Sequence, residues 1–284
     1  MSDITIKNVL VQKASGRLES FSEQKLRRSL RRVKAPHGSI DKVIERIKWE
    51  LKPGIKTSEI YRHALSLLKK EEKSVAIRYS LKKAIMELGP SGHPFEALVG
   101  EILRTQGFAV KVGQMIQGFC VKHEIDVIAT KGGSNIVVEC KFHNEFGTKS
   151  DVKTALYVKA RFDDIKMAER ANHNGAEKIT ETWLITNTKL TSNAIRYSSC
   201  VGLKAIGWNY PRRGGLEALI DQANLYPITC LTSLNSSQKK HLLDGGLVLC
   251  KDIGKRQSLL AEIGLTGKKL DALKLEIDNL TNLD

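Results

Sequence analysis

The sequence lacks the cysteine pattern of a disulfide-stabilised or zinc-binding protein. Its five cysteines are odd in number, lie far apart and never form a Cys-x-x-Cys pair. No apolar stretch approaches the roughly 20 residues of a membrane-spanning helix, and the polar N-terminus has no signal-peptide core. No Walker A run is present, which argues against an ATP motor of the P-loop kind. We therefore expect a reduced, soluble, cytoplasmic protein without a membrane partner.

Acidic residues are outnumbered by basic ones, 31 to 46. The 284 residues carry a net charge of +15, which favours a polyanionic partner. Residues 1–90 contribute 21 basic and 10 acidic side chains, whereas residues 91–225 have a net charge of only +3 and residues 226–284 of +1. The N-terminal part therefore either binds phosphates or has a solvated helical surface, and the second is the usual meaning of a charge run.

Charged residues interrupt two apolar runs near the middle of the chain. Glu124-Ile125-Asp126-Val127-Ile128-Ala129 and Val137-Val138-Glu139-Cys140-Lys141 both read as strands, and the turn-like segment 131–135 joins them. Asp and Glu are poor strand formers, and Ile/Val-rich runs of this kind usually occupy central, covered strands. Their presence here favours a functional site over a solvated strand face with one salt bridge, which is what a lone Glu-x-Lys normally is.

The alternation of strand side chains brings these charges together. Glu139 and Lys141 are two residues apart and project to the same side, while Cys140 points to the other. With Asp126 on the adjacent strand, two carboxylates and an ammonium group can meet at one point. Carboxylates suit magnesium, and a neighbouring lysine can orient or deprotonate an attacking water, so the cluster predicts metal-dependent phosphodiester hydrolysis.

These residues resemble a known family. The matching segments are His93-Pro94-Phe95-Glu96-Ala97-Leu98-Val99, Gln106-Gly107-Phe108-Ala109-Val110, Asp126 and Glu139-Cys140-Lys141. They resemble the restriction-endonuclease fold of PD-(D/E)xK nucleases, in particular the Mrr-like branch. The resemblance implies that Asp126 and Glu139 bind Mg²⁺ or Mn²⁺, that Lys141 is the catalytic lysine, and that Glu96 is a supporting catalytic carboxylate. Ile125 stands where the family name has proline, and Glu139 is the acidic form of a position that is Gln in many Mrr-like members.

The flanking segments predict an α/β sheet. Phe95, Leu98, Val99, Ile102 and Leu103 form one apolar stripe of a helix, and Glu96 lies off its centre. The later elements are a helix over 152–172, a strand over 182–186, an N-cap at 191–193 with a helix over 194–200, and a strand over 203–207.

Other polar residues surround the predicted cluster. His123 and His143 could contact phosphate or metal, although a surface or structural histidine is the more common case. Four basic residues could line the path of the substrate or form an ordinary solvated helix face: Lys149, Lys153, Lys159 and Arg161.

The first 90 residues read as a separate unit. A hairpin is predicted from two runs, over 4–11 and 18–21. Four helices should follow it: one that begins at the N-cap Ser22, and three over 40–51, 57–68 and 74–88. Gly89-Pro90-Ser91-Gly92 then interrupts the chain, and we predict the domain boundary there.

This segment resembles the ATP-cone, a regulatory nucleotide-binding domain best known from ribonucleotide reductases. The matching residues are Val11-Gln12-Lys13-Ala14-Ser15-Gly16, Glu19-x-Phe21, Lys25-Leu26, Ser29-Leu30, Thr57-Ser58-Glu59-Ile60 and Ala76-Ile77-Arg78-Tyr79. The resemblance implies an ATP or dATP effector bound at Val11, Lys13, Gly16 and Lys25. The turn departs from many cones because Ala14 replaces an arginine and Ser15 replaces an Asp or Asn. A reductase regulator would also need a zinc ribbon beside the cone, which the sequence lacks.

The tail predicts a helical module. A helix is expected over 216–225, and two later units, Gln238 to Leu247 and Ser258 to Leu265, each contain Leu-Leu followed by a Gly-hydrophobic turn. They are weakly similar to helix-hairpin-helix units, whose turn amides can hold a DNA phosphate. A small bundle for packing or dimerisation is the alternative.

The sequence thus predicts a multidomain α/β protein. Residues 1–90 form a mainly helical ATP-cone with a small β-hairpin, residues 91–222 a restriction-endonuclease-like domain with a mixed sheet, and residues 223–284 a small helical module. We expect a DNA endonuclease for restriction or repair, with DNA and a nucleotide effector as partners and with homo-oligomers as one assembly state. The alternative is a nucleotide-responsive DNA-binding regulator with an inactive nuclease-like domain.

Overall fold

A computed structural model describes residues 9–171 and 178–281, which divide into two compact units. Unit 1 contains the described residues up to Leu81 together with those from Leu275 onward, and unit 2 comprises Lys82–Lys274. The predicted boundary at residue 90 therefore lies inside unit 2, as does most of the predicted C-terminal module. The assignment of three functional domains stays a prediction.

Unit 1 begins with a small hairpin and continues as helices. Its elements are β1 (Leu10–Gln12), β2 (Leu18–Ser20), α1 (Glu23–Arg32), α2 (His37–Glu50), α3 (Thr57–Glu71) and α4 (Lys73–Met86), within which the division between the units falls. β1 and β2 are antiparallel, as predicted; residues 4–8 of the first predicted run lie outside the described residues. The Ser22 hydroxyl accepts a hydrogen bond from Lys25 N, which confirms the predicted N-cap.

Unit 2 contains a five-stranded mixed sheet. Its first elements are α5 (His93–Thr105), β3 (Ala109–Gln117), β4 (Lys122–Lys131), β5 (Ser134–Lys141), β6 (Lys149–Ser150), α6 (Val152–Ala171), β7 (Glu181–Thr186), β8 (Lys189–Leu190), α7 (Ser192–Cys200) and β9 (Leu203–Ile206). The strand order is β3-β4-β5-β7-β9. The β3-β4 and β4-β5 pairs are antiparallel and the β5-β7 and β7-β9 pairs are parallel, so the predicted mixed sheet is confirmed.

A two-glycine turn sets the register of the two central strands. Gly132 and Gly133 join β4 to β5 with φ angles of 54° and 81°, a left-handed conformation that favours glycine. The pairs then run from Lys131–Ser134 to Val127–Val138. Asp126 and Glu139 are the next residues along the two strands.

Helices cover both faces of the sheet. The predicted stripe of α5 is buried throughout: Phe95, Leu98, Val99, Ile102 and Leu103 are at most 3% exposed. Val137 of β5 belongs to the same core cluster as Val158 and Phe162 of α6. Its neighbour Val138, also buried, points to the opposite face, where α5 contacts β3, β4 and β5. The predicted α6 helix is confirmed as far as Ala171, and its expected last residue lies outside the described range.

The remaining chain is helical, as predicted. It forms α8 (Leu216–Gln222), a 3₁₀ helix (Ile228–Cys230), α9 (Ser236–Asp244), a 3₁₀ helix (Cys250–Lys255), α10 (Gln257–Glu262) and α11 (Lys268–Thr281). Both predicted Gly-hydrophobic turns are present, with Gly246 and Gly264 left-handed and the following leucines buried. After Leu247, however, the chain forms a 3₁₀ helix, whereas a helix-hairpin-helix unit continues into an α-helix. Among the described residues no helix is both long and apolar enough to cross a membrane.

Candidate active site

The two predicted carboxylates lie side by side where the β4-β5 pairing ends, one residue beyond the Val127–Val138 pair. Asp126 Oδ2 accepts a hydrogen bond from the backbone N–H of Cys140 at 2.6 Å, which fixes the β4 carboxylate against β5. The Glu139 side chain is only 14% exposed. Asp126 and Glu139 therefore share one partly buried position, as the alternation of strand side chains predicted.

Both carboxyl groups hold their protons unusually well. Burial raises the pKa of Asp126 to about 6, although the Cys140 amide opposes the shift, and Glu96 adds to it through like-charge repulsion. Burial likewise raises the pKa of Glu139 to about 7, with Asp126 as the next cause. A divalent cation would stabilise the charged forms of two adjacent, partly buried carboxyl groups, so the residues present fit Mg²⁺ or Mn²⁺.

Glu96 lies close to this pair. Its position in the first turn of α5 leaves its side chain 14% exposed, and its Oε2 is 3.3 Å from Nδ1 of His93. Its charge raises the pKa of both strand carboxyl groups. No group of three or more His, Cys, Asp or Glu side chains in the described residues could by itself surround a metal ion. Magnesium usually takes only one or two carboxylates and keeps its waters, so two strand carboxylates with Glu96 nearby are sufficient.

Lys141 completes the predicted cluster. It is exposed and lies opposite Thr186 in the parallel β5-β7 pair. Its positive charge lowers the pKa of Glu139, although burial and Asp126 outweigh this effect. The ammonium group is therefore within electrostatic range of the carboxylate pair on the solvent side.

Arg161 has a more direct role than the sequence indicated. Its Nη1 donates to Glu139 Oε2 at 2.5 Å, and its Nη2 donates to the Glu124 carbonyl oxygen. The guanidinium also lies 5.5 Å from the ring centre of Tyr157, one turn earlier on α6. The sequence placed Arg161 only among four basic residues, because nothing local marks a contact between residues 22 positions apart. Lys159 instead pairs with Asp163, and Lys149 and Lys153 are exposed.

Both flanking histidines have protein partners. His123 Nε2 lies 2.7 Å from Asp164 Oδ2, and His143 Nε2 lies 3.2 Å from the hydroxyl of Ser150. Burial, followed by the charge of Lys141, lowers the pKa of His143. These contacts favour the structural interpretation of the two histidines over a role as ligands.

Asn187 was missed by sequence reasoning. This residue is fully buried, donates from Nδ2 to the His143 carbonyl at 2.7 Å, and accepts from the His143 N–H at 2.9 Å. It therefore fixes the backbone two residues after Lys141. The only local signal was its place directly after the β7 strand, at the carboxyl end of parallel strands where sites often form.

The predicted nucleotide-binding residues of unit 1 lie around its hairpin. Lys13 and Lys25 both reach Glu19 Oε2, at 3.7 and 3.3 Å, and Gly16 adopts a φ of 79° in the turn. Val11 is buried in the core of this unit. Lys13 and Lys25 thus lie on either side of the single Glu19 carboxylate, beside the exposed Gly16 turn, with one positive charge in excess.

Comparisons with known proteins cover most of unit 2. A family described as restriction endonuclease (Mrr_cat) matches residues 89–206, and one described as AF1548-like, C-terminal, matches residues 226–281. An uncharacterized protein of Archaeoglobus fulgidus is 38% identical over 172 residues, which span 60% of this chain and 92% of that protein. The crystal structure of the protein of unknown function AF1548 is similar with a TM-score of 0.55 and 35% sequence identity, and the match covers 68% of this chain and 99% of that one.

Proposed function

Because the chain belongs to the AF1548-like family and contains a restriction-endonuclease region at residues 89–206, we propose that it is a metal-dependent DNA endonuclease. The observation that carries the proposal is the pairing of Asp126 and Glu139 on adjacent strands, with raised pKa values and Lys141 beside them. Groups with perturbed pKa values cluster at functional sites. Cleavage would serve restriction of foreign DNA or repair.

In the proposed mechanism each residue has a separate task. Asp126 and Glu139 would hold Mg²⁺ or Mn²⁺, which supplies charge compensation at the scissile phosphate and activates the attacking water. Lys141, on the solvent side, orients that water or neutralises charge as the leaving oxygen develops. The charge of Glu96 makes the electrostatic potential at Asp126 and Glu139 more negative, which favours a bound cation.

Plasmid nicking tests this function. Wild-type protein with Mg²⁺ should convert supercoiled DNA to open circles, and excess EDTA should stop the reaction. Glu139→Gln and Lys141→Ala should each lower the rate at least about 100-fold, because they remove a proposed ligand and the charge that assists the water. Asp244→Asn, which changes an exposed carboxylate of α9, is the matched control and should cleave normally. Equal rates in all four proteins would refute the assignment.

One observation favours a second function, a DNA-binding regulator whose nuclease-like domain is inactive. Arg161 already donates to Glu139 at 2.5 Å, so this carboxyl group has a protein partner without any metal. Tight DNA binding that needs no divalent cation, together with no cutting by the wild type, would support the regulator.

For unit 1 we propose the regulatory role of an ATP-cone. The two lysines around the Gly16 turn and the charge excess of residues 1–90 suit a triphosphate. ATP or dATP would then change the oligomeric state or the cleavage rate, and Lys13→Ala should abolish the response whereas Lys69→Ala in α3 should not. The proposal fails if neither nucleotide changes sedimentation or cleavage by the wild-type protein.

A further inference from the structure

The tip of the β3-β4 hairpin exposes two apolar side chains. Phe119 and Val121 are each 57% accessible to solvent, in the short segment between the two strands. Single exposed apolar residues are common. Two exposed apolar residues on one hairpin tip favour a binding role when other contacts hold the backbone of the tip in place.

Asp164 of α6 holds this backbone. Its Oδ1 accepts from Cys120 N at 2.8 Å and its Oδ2 from Val121 N at 3.3 Å. The N–H of Phe119 donates to the backbone oxygen of Asp164 at 3.0 Å. The same carboxylate lies 2.7 Å from His123 Nε2. Three consecutive backbone amides of the tip and the His123 side chain at the start of β4 therefore contact one residue of the helix.

The tie requires glycine at position 118. A Cβ built on Gly118 would lie 2.1 Å from Asp164 Oδ2 and 2.7 Å from the Val121 carbonyl oxygen, closer than real Cβ atoms approach. Gly118 N also donates to that carbonyl at 2.8 Å and closes the turn. Gly118 and Asp164 together therefore fix the backbone of the tip, while its two apolar side chains remain in solvent.

The tip lies near the candidate active site. Asp164 is three residues after Arg161, so one turn of α6 bears both the contact to the tip and the contact to Glu139. Along β4, Lys122 at the tip is about 13 Å from Asp126, at roughly 3.3 Å per residue. That length corresponds to about four nucleotides at roughly 3.4 Å each. Lys122 is exposed and would attract the DNA backbone.

We propose that the segment Gly118–Val121 is a nucleobase-contact site, in which Phe119 and Val121 pack against bases about four nucleotides from the scissile phosphate. The inference rests on the proposed nuclease function and adds a substrate class: DNA with unpaired or easily unstacked bases beside the cut. An aromatic side chain stacks on any base, and apolar wedges favour steps that open at little cost. In an intact duplex the bases are already stacked, so the tip would contribute less.

Binding to two DNA molecules tests this proposal. Fluorescence anisotropy with Ca²⁺ in place of Mg²⁺ would compare a 30-base-pair duplex with the same duplex containing a six-base bubble and a 2-aminopurine in the bubble. Phe119→Ala should weaken bubble binding about 5- to 20-fold and duplex binding less than about 2-fold, and it should abolish the change in 2-aminopurine fluorescence. Leu275→Ala, at a site 62% exposed in α11, is the control and should leave both affinities unchanged.

Gly118→Ala separates the placement of the tip from the chemistry of its side chains. It keeps Phe119 but forces the Asp164 carboxylate away, so bubble binding should fall by at least about 3-fold while thermal melting shows that the protein still folds.

Equal losses on both DNA molecules, or no loss with Phe119→Ala, would overturn the proposal even if Glu139-dependent cleavage persists. Conversion of a wild-type dimer to a monomer by Phe119→Ala would show that the tip contacts a second copy. Absence of DNA binding and cleavage in the wild type would refute the nuclease function itself.

Discussion

The guanidinium of Arg161 lies 2.5 Å from Oε2 of Glu139, one of the two carboxylates proposed to bind metal. Both side chains are largely shielded, with 13% and 14% of their surfaces exposed. The second guanidinium nitrogen donates to the Glu124 carbonyl oxygen, so α6 holds the guanidinium group against β4 and β5. A divalent cation at Glu139 must therefore bind in the presence of a fixed positive charge.

Removal of this charge should tighten metal binding. Arg161→Ala makes the site more negative, and we expect the affinity of the DNA-free protein for Mn²⁺ at pH 8 to rise about 3- to 10-fold, measured by calorimetry. DNA cleavage should nevertheless become slower, because the variant has no guanidinium beside Glu139 that could donate to a phosphate oxygen.

Arg161→Lys is the matched control. It retains the charge but cannot contact Glu139 and the Glu124 carbonyl at the same time, so its affinity for Mn²⁺ should remain near that of the wild type. If Arg161→Ala instead weakens Mn²⁺ binding as much as Glu139→Gln does, the arginine orients the ligand and does not compete with the metal.

The sequence was a good guide wherever the signal is local. Alternation along β4 and β5 placed Asp126, Glu139 and Lys141 together, because side chains two residues apart share a strand face. Helical periodicity identified the buried stripe of α5, and Ser22 and Thr191 cap their helices as expected. Each of these inferences needed only residues within one or two elements.

Long-range contacts were invisible in the sequence. The predicted boundary at Gly89 followed from a turn signal, but the Ala84 carbonyl near the end of α4 accepts a hydrogen bond from the Thr229 hydroxyl, 145 residues away. Both groups lie in unit 2, which begins at Lys82, so the residues just before the turn belong to the same compact unit as those after it. The bonds of Arg161 and Asp164 likewise connect α6 to residues 22 to 44 positions earlier, where no periodic pattern reaches.

Metal binding should depend steeply on pH between about 6 and 8. Because the pKa of Asp126 is raised to about 6 and that of Glu139 to about 7, the ligands carry protons below this range and lose them as pH rises. We expect the Mn²⁺ affinity to increase at least about 10-fold from pH 6 to pH 8. Calorimetry across this range would check it, with Glu139→Gln expected to flatten the upper part of the curve. A flat wild-type curve would contradict the prediction.

Asp126→Asn should stabilise the metal-free protein at alkaline pH. The pKa of Asp126 is about 6 in the folded protein against 3.8 ordinarily, mainly through burial, so the native state holds its proton where the unfolded chain has lost it. Stability therefore falls as pH rises from about 4 to 6, and the charged group costs free energy at pH 8. In EDTA we expect the variant to raise the free energy of unfolding by about 1 to 2 kcal/mol at pH 8.

The gain in stability should vanish at pH 4, where the side chain at position 126 is neutral in the variant and in the folded wild-type protein. Urea melts at the two pH values provide the measurement. A loss of stability at both would indicate instead that the carboxylate matters chiefly as the acceptor for Cys140 N.

Asn187 should determine both stability and the position of Lys141. Its amide forms two hydrogen bonds with the His143 backbone, at 2.7 and 2.9 Å, in a fully buried position. Asn187→Ala leaves both His143 groups without these partners, so the free energy of unfolding should fall by about 2 to 4 kcal/mol.

At a temperature where the variant remains folded, DNA cleavage should slow about 10-fold or more while Mn²⁺ affinity stays unchanged, because Lys141 moves and the carboxylate ligands do not. Asn187→Asp retains the acceptor for the His143 N–H and should lie between the variant and the wild type in stability. Loss of Mn²⁺ affinity in Asn187→Ala would show that the disturbance reaches the strand carboxylates and would contradict a role confined to Lys141.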